Sequence, residues 1–124
     1  MPPLLLRLIL VVGALFILPA AARAHAILID SRPAAGSAVK PGKATLSLRY
    51  NSRVDPDRSR IALTGPGGAE KILTIAHGTT PDTLTAETEL VPGPYVVRWQ
   101  VLAVDGHITR GELRFTASPD APGT

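Results

Sequence analysis

From residue 45 to residue 117 the chain is a succession of short runs in which apolar and polar residues alternate. Thr45-Leu46-Ser47-Leu48-Arg49-Tyr50 places Leu46, Leu48 and Tyr50 on one side, the period-2 signature of a strand with one buried face. Ser59 to Thr64 repeats the pattern through Ile61 and Leu63, after which Gly65-Pro66-Gly67-Gly68 turns the chain. Lys71 to Ala76 and Thr83 to Leu90 are two further runs, joined by the loop His77 to Asp82. Tyr95 to Val104 is apolar on both faces apart from Arg98 and Gln100, as suits a central strand lying between two layers. Glu112 to Ala117 closes the series with Leu113, Phe115 and Ala117 facing in. Counting His25 to Ile29 at the start, seven short strands separated by turn residues predict an all-β sandwich. Trp99 shares a face with Val97 and Val101 and is expected at the centre of the core. Pro119 to Thr124 has no periodicity and is expected to form a flexible tail.

Leu8 to Leu18 is a run of another kind: 11 consecutive apolar or glycine residues, preceded by Arg7 and followed by Pro19 and Ala20-Ala21-Ala22-Arg23-Ala24. A charged start, a short apolar stretch and a small-residue cleavage site predict a secretory signal peptide over residues 1–24. The run is shorter than the roughly 20 residues a membrane span needs. Cleavage after Ala24 makes His25 the N-terminus of a domain over residues 25–118, with residues 119–124 as the tail.

Removal of the leader changes the composition. Arg7 and Arg23 leave with it, so 11 Lys and Arg face 10 Asp and Glu and the net charge falls from +3 to +1. A near-neutral domain with interspersed charges has no electrostatic footprint for nucleic acid, which is excluded as a partner. The 9 prolines and 10 glycines that follow residue 24 leave little room for helix. There is no cysteine, hence no disulfide, and the only methionine is Met1. The mature chain therefore has no sulfur ligand, and it is expected to be a periplasmic monomer that folds on its core alone.

No serine lies in a nucleophile-elbow pattern and no glycine-rich loop precedes a helix. What remains for chemistry is His25, His77 and His107, with Asp105 close to the last. An N-terminal histidine presents its α-amine and its imidazole Nδ1 together, and the two close a six-membered chelate ring on a metal. An α-amine has an ordinary pKa of about 7.7–8.0 against about 10.4 for lysine, so a metal displaces its proton readily at neutral pH. In Asp105-Gly106-His107, extended backbone would put the first and third residues on the same side with Cα atoms about 6.5–7 Å apart. Taken singly, His107 reads as an exposed turn histidine, and a histidine after a cleavage site as coincidence. Together, on a sandwich that can bring the first strand beside the strand ending at Asp105, they read as a metal site. Two imidazoles, an amine and a carboxylate in a roughly planar set favour Cu(II), and less strongly Ni(II), whereas Zn(II) prefers a tetrahedron. Cu(I) and a blue-copper centre would need the sulfur that is missing.

The opening His25-Ala26-Ile27-Leu28-Ile29-Asp30-Ser31-Arg32-Pro33-Ala34-Ala35-Gly36-Ser37 resembles the start of the CopC family of periplasmic copper-resistance proteins. Gly93-Pro94-Tyr95-Val96-Val97-Arg98-Trp99, then Asp105-Gly106-His107 with Gly111 and Phe115, resembles the family's second signature. The resemblance implies a Greek-key, immunoglobulin-like β-sandwich and one Cu(II) per chain, held by His25, Asp105 and His107. Members with a Cu(I) site carry a methionine-rich loop. With no methionine after Met1, this chain resembles the Cu(II)-only type. Some members add a carboxylate at the end of the second strand, where this chain reads Asn51-Ser52-Arg53, so no fourth protein ligand is carried over. His77 matches neither signature and is expected as a solvated loop residue.

The implied function is copper carriage, buffering or resistance without enzymatic activity, with a CopD-like inner-membrane protein as the implied partner. Two alternatives stand beside it. A histidine-brace copper oxygenase acting on polysaccharide would use the same amine and imidazoles, but the mature chain's few aromatics all fall on inward strand faces and an aspartate ligand would occupy a position that oxygen chemistry needs. A metal-free structural sandwich is the other.

Overall fold

The structure, a computed structural model, describes residues 25–77 and 80–122. The expected signal peptide, residues 1–24, lies outside the described residues, as do Gly78, Thr79, Gly123 and Thr124. Eight strands are formed among the described residues: β1 (Leu28–Arg32), β2 (Ala38–Val39), β3 (Gly42–Tyr50), β4 (Val54–Thr64), β5 (Glu70–Leu73), β6 (Thr83–Leu90), β7 (Gly93–Ala103) and β8 (Ile108–Ala117). They make two sheets, one of three strands in the order β1-β3-β6 and one of five in the order β2-β8-β7-β4-β5. All pairings are antiparallel except β2 with β8.

The alternation in the sequence accounts for the layering. Leu46, Leu48 and Tyr50 of β3 and Leu84, Ala86 and Leu90 of β6 share one buried cluster with Ile61 and Leu63 of β4, Val97 and Val101 of β7, and Leu113 and Phe115 of β8. One sheet thus covers the other, and the transfer of these side chains from water is the main favourable contribution to folding. β7 is central in its sheet, as its composition predicts, with β4 on one side and β8 on the other. Its inward face buries Tyr95, Val97, Val101 and Ala103, whereas Val96 and Leu102 on the other face remain half-buried.

Several elements differ from the sequence expectation. The first strand begins at Leu28 rather than His25, because the run Ala26-Ile27-Leu28-Ile29 is apolar throughout and offers no alternation to read. β2 has two residues, too few for any pattern. β4 begins at Val54, five residues before the predicted start. Its first part contains Pro56, a sequence breaker, which is accommodated at an irregularity between Asp55 and Arg60, the kind of place where strands tolerate proline. Ser59 sews that irregularity shut: its Oγ donates to the Asp55 carbonyl at 2.5 Å and accepts the Leu102 N–H at 3.2 Å.

Trp99 is not the centre of the core. Its register is inward, opposite Ile61 on one side and Gly111 on the other, yet the side chain is half-buried and packs against the cluster from its margin. The largest fully buried side chains are Tyr50, Leu46, Leu48, Ile61, Leu84, Leu90, Val97 and Val101. The indole lies across Gly111, in the space that a cross-strand side chain would fill. A Cβ there would clash with Trp99 Cζ2 and come within 2.7 Å of Cε2. Gly111→Ala is therefore expected to displace the indole and destabilise the domain by about 1–3 kcal/mol. Thermal unfolding checks this, and an unchanged midpoint would show that the indole moves aside freely.

Tyr95 closes the opposite end of β7. Its ring stacks on Phe115 with centroids 5.2 Å apart. Its hydroxyl donates to the Val91 carbonyl at 3.1 Å and accepts the Val91 N–H at 2.9 Å. The connection between the two sheets at Val91–Gly93 is thereby tied to the strand it leads into. In the segment expected as a C-terminal tail, residues 119–122 make a turn: Ala121 N–H donates to the Ser118 carbonyl at 3.1 Å, and Ala121 is buried.

Candidate metal centre

His25 is delivered by the residues that follow it. Ala26 is buried at 2 % exposure and plugs the chain into the core. Ile27 then meets Asn51, just past the end of β3. Its N–H donates to Asn51 Oδ1 at 2.8 Å and its carbonyl accepts the Asn51 N–H at 2.9 Å. The ring of His25 stays exposed beyond these two anchors.

Asp105 and His107 come from the hairpin between β7 and β8. Leu102 pairs with Ile108, Ala103 N–H donates to the His107 carbonyl at 2.9 Å, and Gly106 N–H donates to the Ala103 carbonyl at 2.9 Å. Gly106 has φ +91°, a conformation that glycine adopts without steric cost. The two side chains therefore converge through a turn and not through extended backbone, which corrects the geometric reason given by their spacing. Asp105 Oδ1 accepts the His107 N–H at 3.1 Å, as aspartates in turns do, and lies 3.3 Å from His107 Nδ1. That N–H, first, and the imidazole, second, hold the Asp105 carboxyl below the usual carboxylate range. The carboxylate is thus ionised at neutral pH and ready for a cation.

The hairpin and the N-terminal segment meet. The rings of His25 and His107 lie edge to face, centroids 5.5 Å apart and planes at 76°. Two donors each about 2 Å from one ion, in neighbouring positions, sit roughly 3 Å apart, so the Asp105–His107 spacing is that of a pair able to share an ion. The three residues are adjacent without being closed up. Among the described residues no group of three or more His, Cys, Asp or Glu is gathered tightly enough to hold a metal. One donor of the expected set is also absent by chemistry, since in the full chain the His25 nitrogen is a peptide nitrogen joined to Ala24. Ile27, Val104 and Ile108, neighbours of the three residues, are exposed, so the site opens to solvent at one end of the sandwich.

His77 lies elsewhere. Its Nε2 is 3.2 Å from Asp57 Oδ1, both side chains being well exposed. Among the described residues no hydrogen bond, ion pair or ring contact joins it to His25, Asp105 or His107. It is exposed as expected but paired, with a partner that its loop sequence gave no means of finding. Asn51 was likewise missed. The sequence showed only that no carboxylate stands there, and nothing local marks an asparagine as the acceptor for a backbone N–H 24 residues away.

Residues 28–118 match the CopC domain. The chain belongs to the CopC family. Its solved relatives include CopC from Methylosinus trichosporium OB3b, 32 % identical with a TM-score of 0.69, the match covering 79 % of this chain and 98 % of that one. PcoC of Escherichia coli, a methionine-rich copper resistance protein, is 26 % identical with a TM-score of 0.67, covering 77 % of this chain and 100 % of that one. Protein YobA of Escherichia coli K12 is 34 % identical over 98 residues, 75 % of this chain and 78 % of the relative. Membership gives the chain a copper-binding role in general and places it with periplasmic copper-resistance proteins and not with enzymes. The oxygenase reading falls with it. Both sequence signatures lie within or beside the matched span, and the second, from Gly93 to Phe115, lies wholly inside it.

Proposed function

We propose that the chain, exported and cut before His25, is a periplasmic Cu(II) carrier or buffer that binds one Cu(II) per chain through the His25 amine and imidazole, Asp105 and His107. The observation that carries this reading is the meeting of the two segments: the His25 ring stands 5.5 Å from that of His107, whose Nδ1 is 3.3 Å from the Asp105 carboxylate. Release of the amine by cleavage supplies the remaining nitrogen and gives the His25 side chain a reason to turn inward, since amine and imidazole bind best as one chelate. The Cu(II)-only assignment is supported by composition. PcoC is methionine-rich, whereas this chain has no methionine after Met1, and nitrogen and oxygen donors suit Cu(II) where Cu(I) prefers sulfur.

An open site on a rigid sandwich suits a cargo that must leave again, and a CopD-like membrane protein is the recipient this reading implies. The Greek-key, immunoglobulin-like assignment belongs to the same proposal. It is supported by the chain's repeated passage between the two sheets and by the bond of the Tyr95 hydroxyl to the backbone four residues upstream, a device of immunoglobulin-like corners.

The mature protein is expected to take up one Cu(II) per chain with a tetragonal, nitrogen-rich electron paramagnetic resonance spectrum and no intense blue charge-transfer band. Titration followed by spectroscopy checks this. A stoichiometry near zero, or binding only by unfolded protein, would overturn the reading.

A further inference from the structure

Asn51-Ser52-Arg53 holds both halves of the site at once. Asn51 grips Ile27 on the N-terminal side, and the Arg53 carbonyl accepts the N–H of Val104, next to Asp105, at 3.2 Å. Of these contacts only one uses a side chain, the bond from Ile27 N–H to Asn51 Oδ1 at 2.8 Å. The others run between backbone groups and survive substitution.

The backbone ladder alone does not fix what lies ahead of Leu28. β1 pairs with β3 from Leu28 opposite Tyr50, but the register shifts between Leu28 and Asp30, so the end nearest His25 is the weakest part of the pairing. Ala26 contributes a buried methyl and no directional bond. The Asn51 side chain supplies the missing constraint two residues from His25, where an Ala or Leu would leave the Ile27 N–H without its acceptor.

We propose that Asn51 is a positioning residue for copper binding, whose amide oxygen fixes Ile27 and through it places His25 against the Asp105–His107 hairpin. The inference rests on the copper-site reading above. Asn51 is not a metal ligand on this account, because its oxygen faces an N–H. Its effect is to reduce the freedom that His25 would otherwise lose on closing around the ion. Groups that hydrogen-bond metal ligands directly change affinity by about 10–100-fold, and Asn51, acting through Ile27, is expected at the low end of that range.

The experiment is a double-mutant cycle on the correctly cleaved protein. Cu(II) affinity is measured by competition with one chelator for the parent, for Asn51→Ala, His25→Ala and His107→Ala, and for the Asn51→Ala/His25→Ala double variant. Asn51→Ala is expected to weaken binding about tenfold in the parent and to have a clearly smaller effect once His25 is alanine, since the imidazole is then gone and only the α-amine of residue 25 is left to position. Hydrogen exchange of the apo proteins is expected to show a faster Ile27 amide in Asn51→Ala and parent-like protection in Asn51→Asp, which keeps an acceptor oxygen.

Equal weakening in both backgrounds would mean a general structural effect and overturn the inference, as would loss of Ile27 protection in Asn51→Asp. No weakening by Asn51→Ala, with His25→Ala and His107→Ala still weakening binding, would overturn the inference and leave the copper site standing. Unchanged binding in all three single variants would overturn the copper site itself.

Discussion

A chain carrying one extra residue before His25 is expected to bind Cu(II) orders of magnitude more weakly than the chain that begins at His25. The added residue turns the amine into a peptide nitrogen, which is a poor donor while it holds its proton. The imidazole remains, but the six-membered chelate ring is gone, and one imidazole alone must then supply the N-terminal half of the site. The fold should not notice. The buried Ala26 and the Ile27–Asn51 pair both lie after His25, so the contacts that dock this segment are untouched. The measurement is competitive Cu(II) titration of the two forms, with thermal unfolding of each apo protein alongside. Equal affinity would remove the amine from the donor set. A matching loss of unfolding temperature would mean that the extension disturbs the sandwich rather than the site. If the proposed cleavage before His25 occurs, it would complete the proposed site, and the uncleaved chain is expected to bind copper as weakly as the extended one.

How far the sequence reached is set by the range of the interactions involved. β6 could be read to the residue, Thr83 to Leu90, because its alternation is regular and no proline or glycine interrupts it. β4 could be read only from Ser59, because Pro56 resembles a break and the Ser59 bonds that carry the strand past it reach to Leu102, 43 residues away. Trp99 was misplaced for a related reason: its own strand gives the face correctly, but its depth depends on Gly111 across the ladder. The site divides in the same way. His25, Asp105 and His107 were visible because each stands in a local pattern, one beside a cleavage site and two in a turn tripeptide. The meeting of the His25 and His107 rings depends on tertiary packing, and Asn51, which anchors the N-terminal segment, carries no local pattern at all.

The three side chains are expected to differ in weight, with His107 the heaviest. His107→Ala removes an imidazole that no other residue in the hairpin can replace, and it also removes the group that Asp105 faces through Nδ1 at 3.3 Å. Cu(II) affinity should drop more than for any other single side-chain change in the hairpin. Asp105→Asn keeps the turn, because the amide oxygen can still accept the His107 N–H, but it loses the negative charge that offsets the cation. Its effect should be smaller than that of His107→Ala. Because Asp105 is already held below its usual range by that N–H, the charge is present across the neutral pH range and its removal should tell throughout it. His77→Ala should leave the affinity unchanged, since its partner is Asp57 and not the site. All three positions are exposed, so unfolding temperatures should move little. Titration of the three variants against a common chelator decides the order. If His77→Ala cost as much as His107→Ala, the loop after β5 would have to reach the N-terminus in the copper-bound protein, and the ligand set proposed here would be wrong.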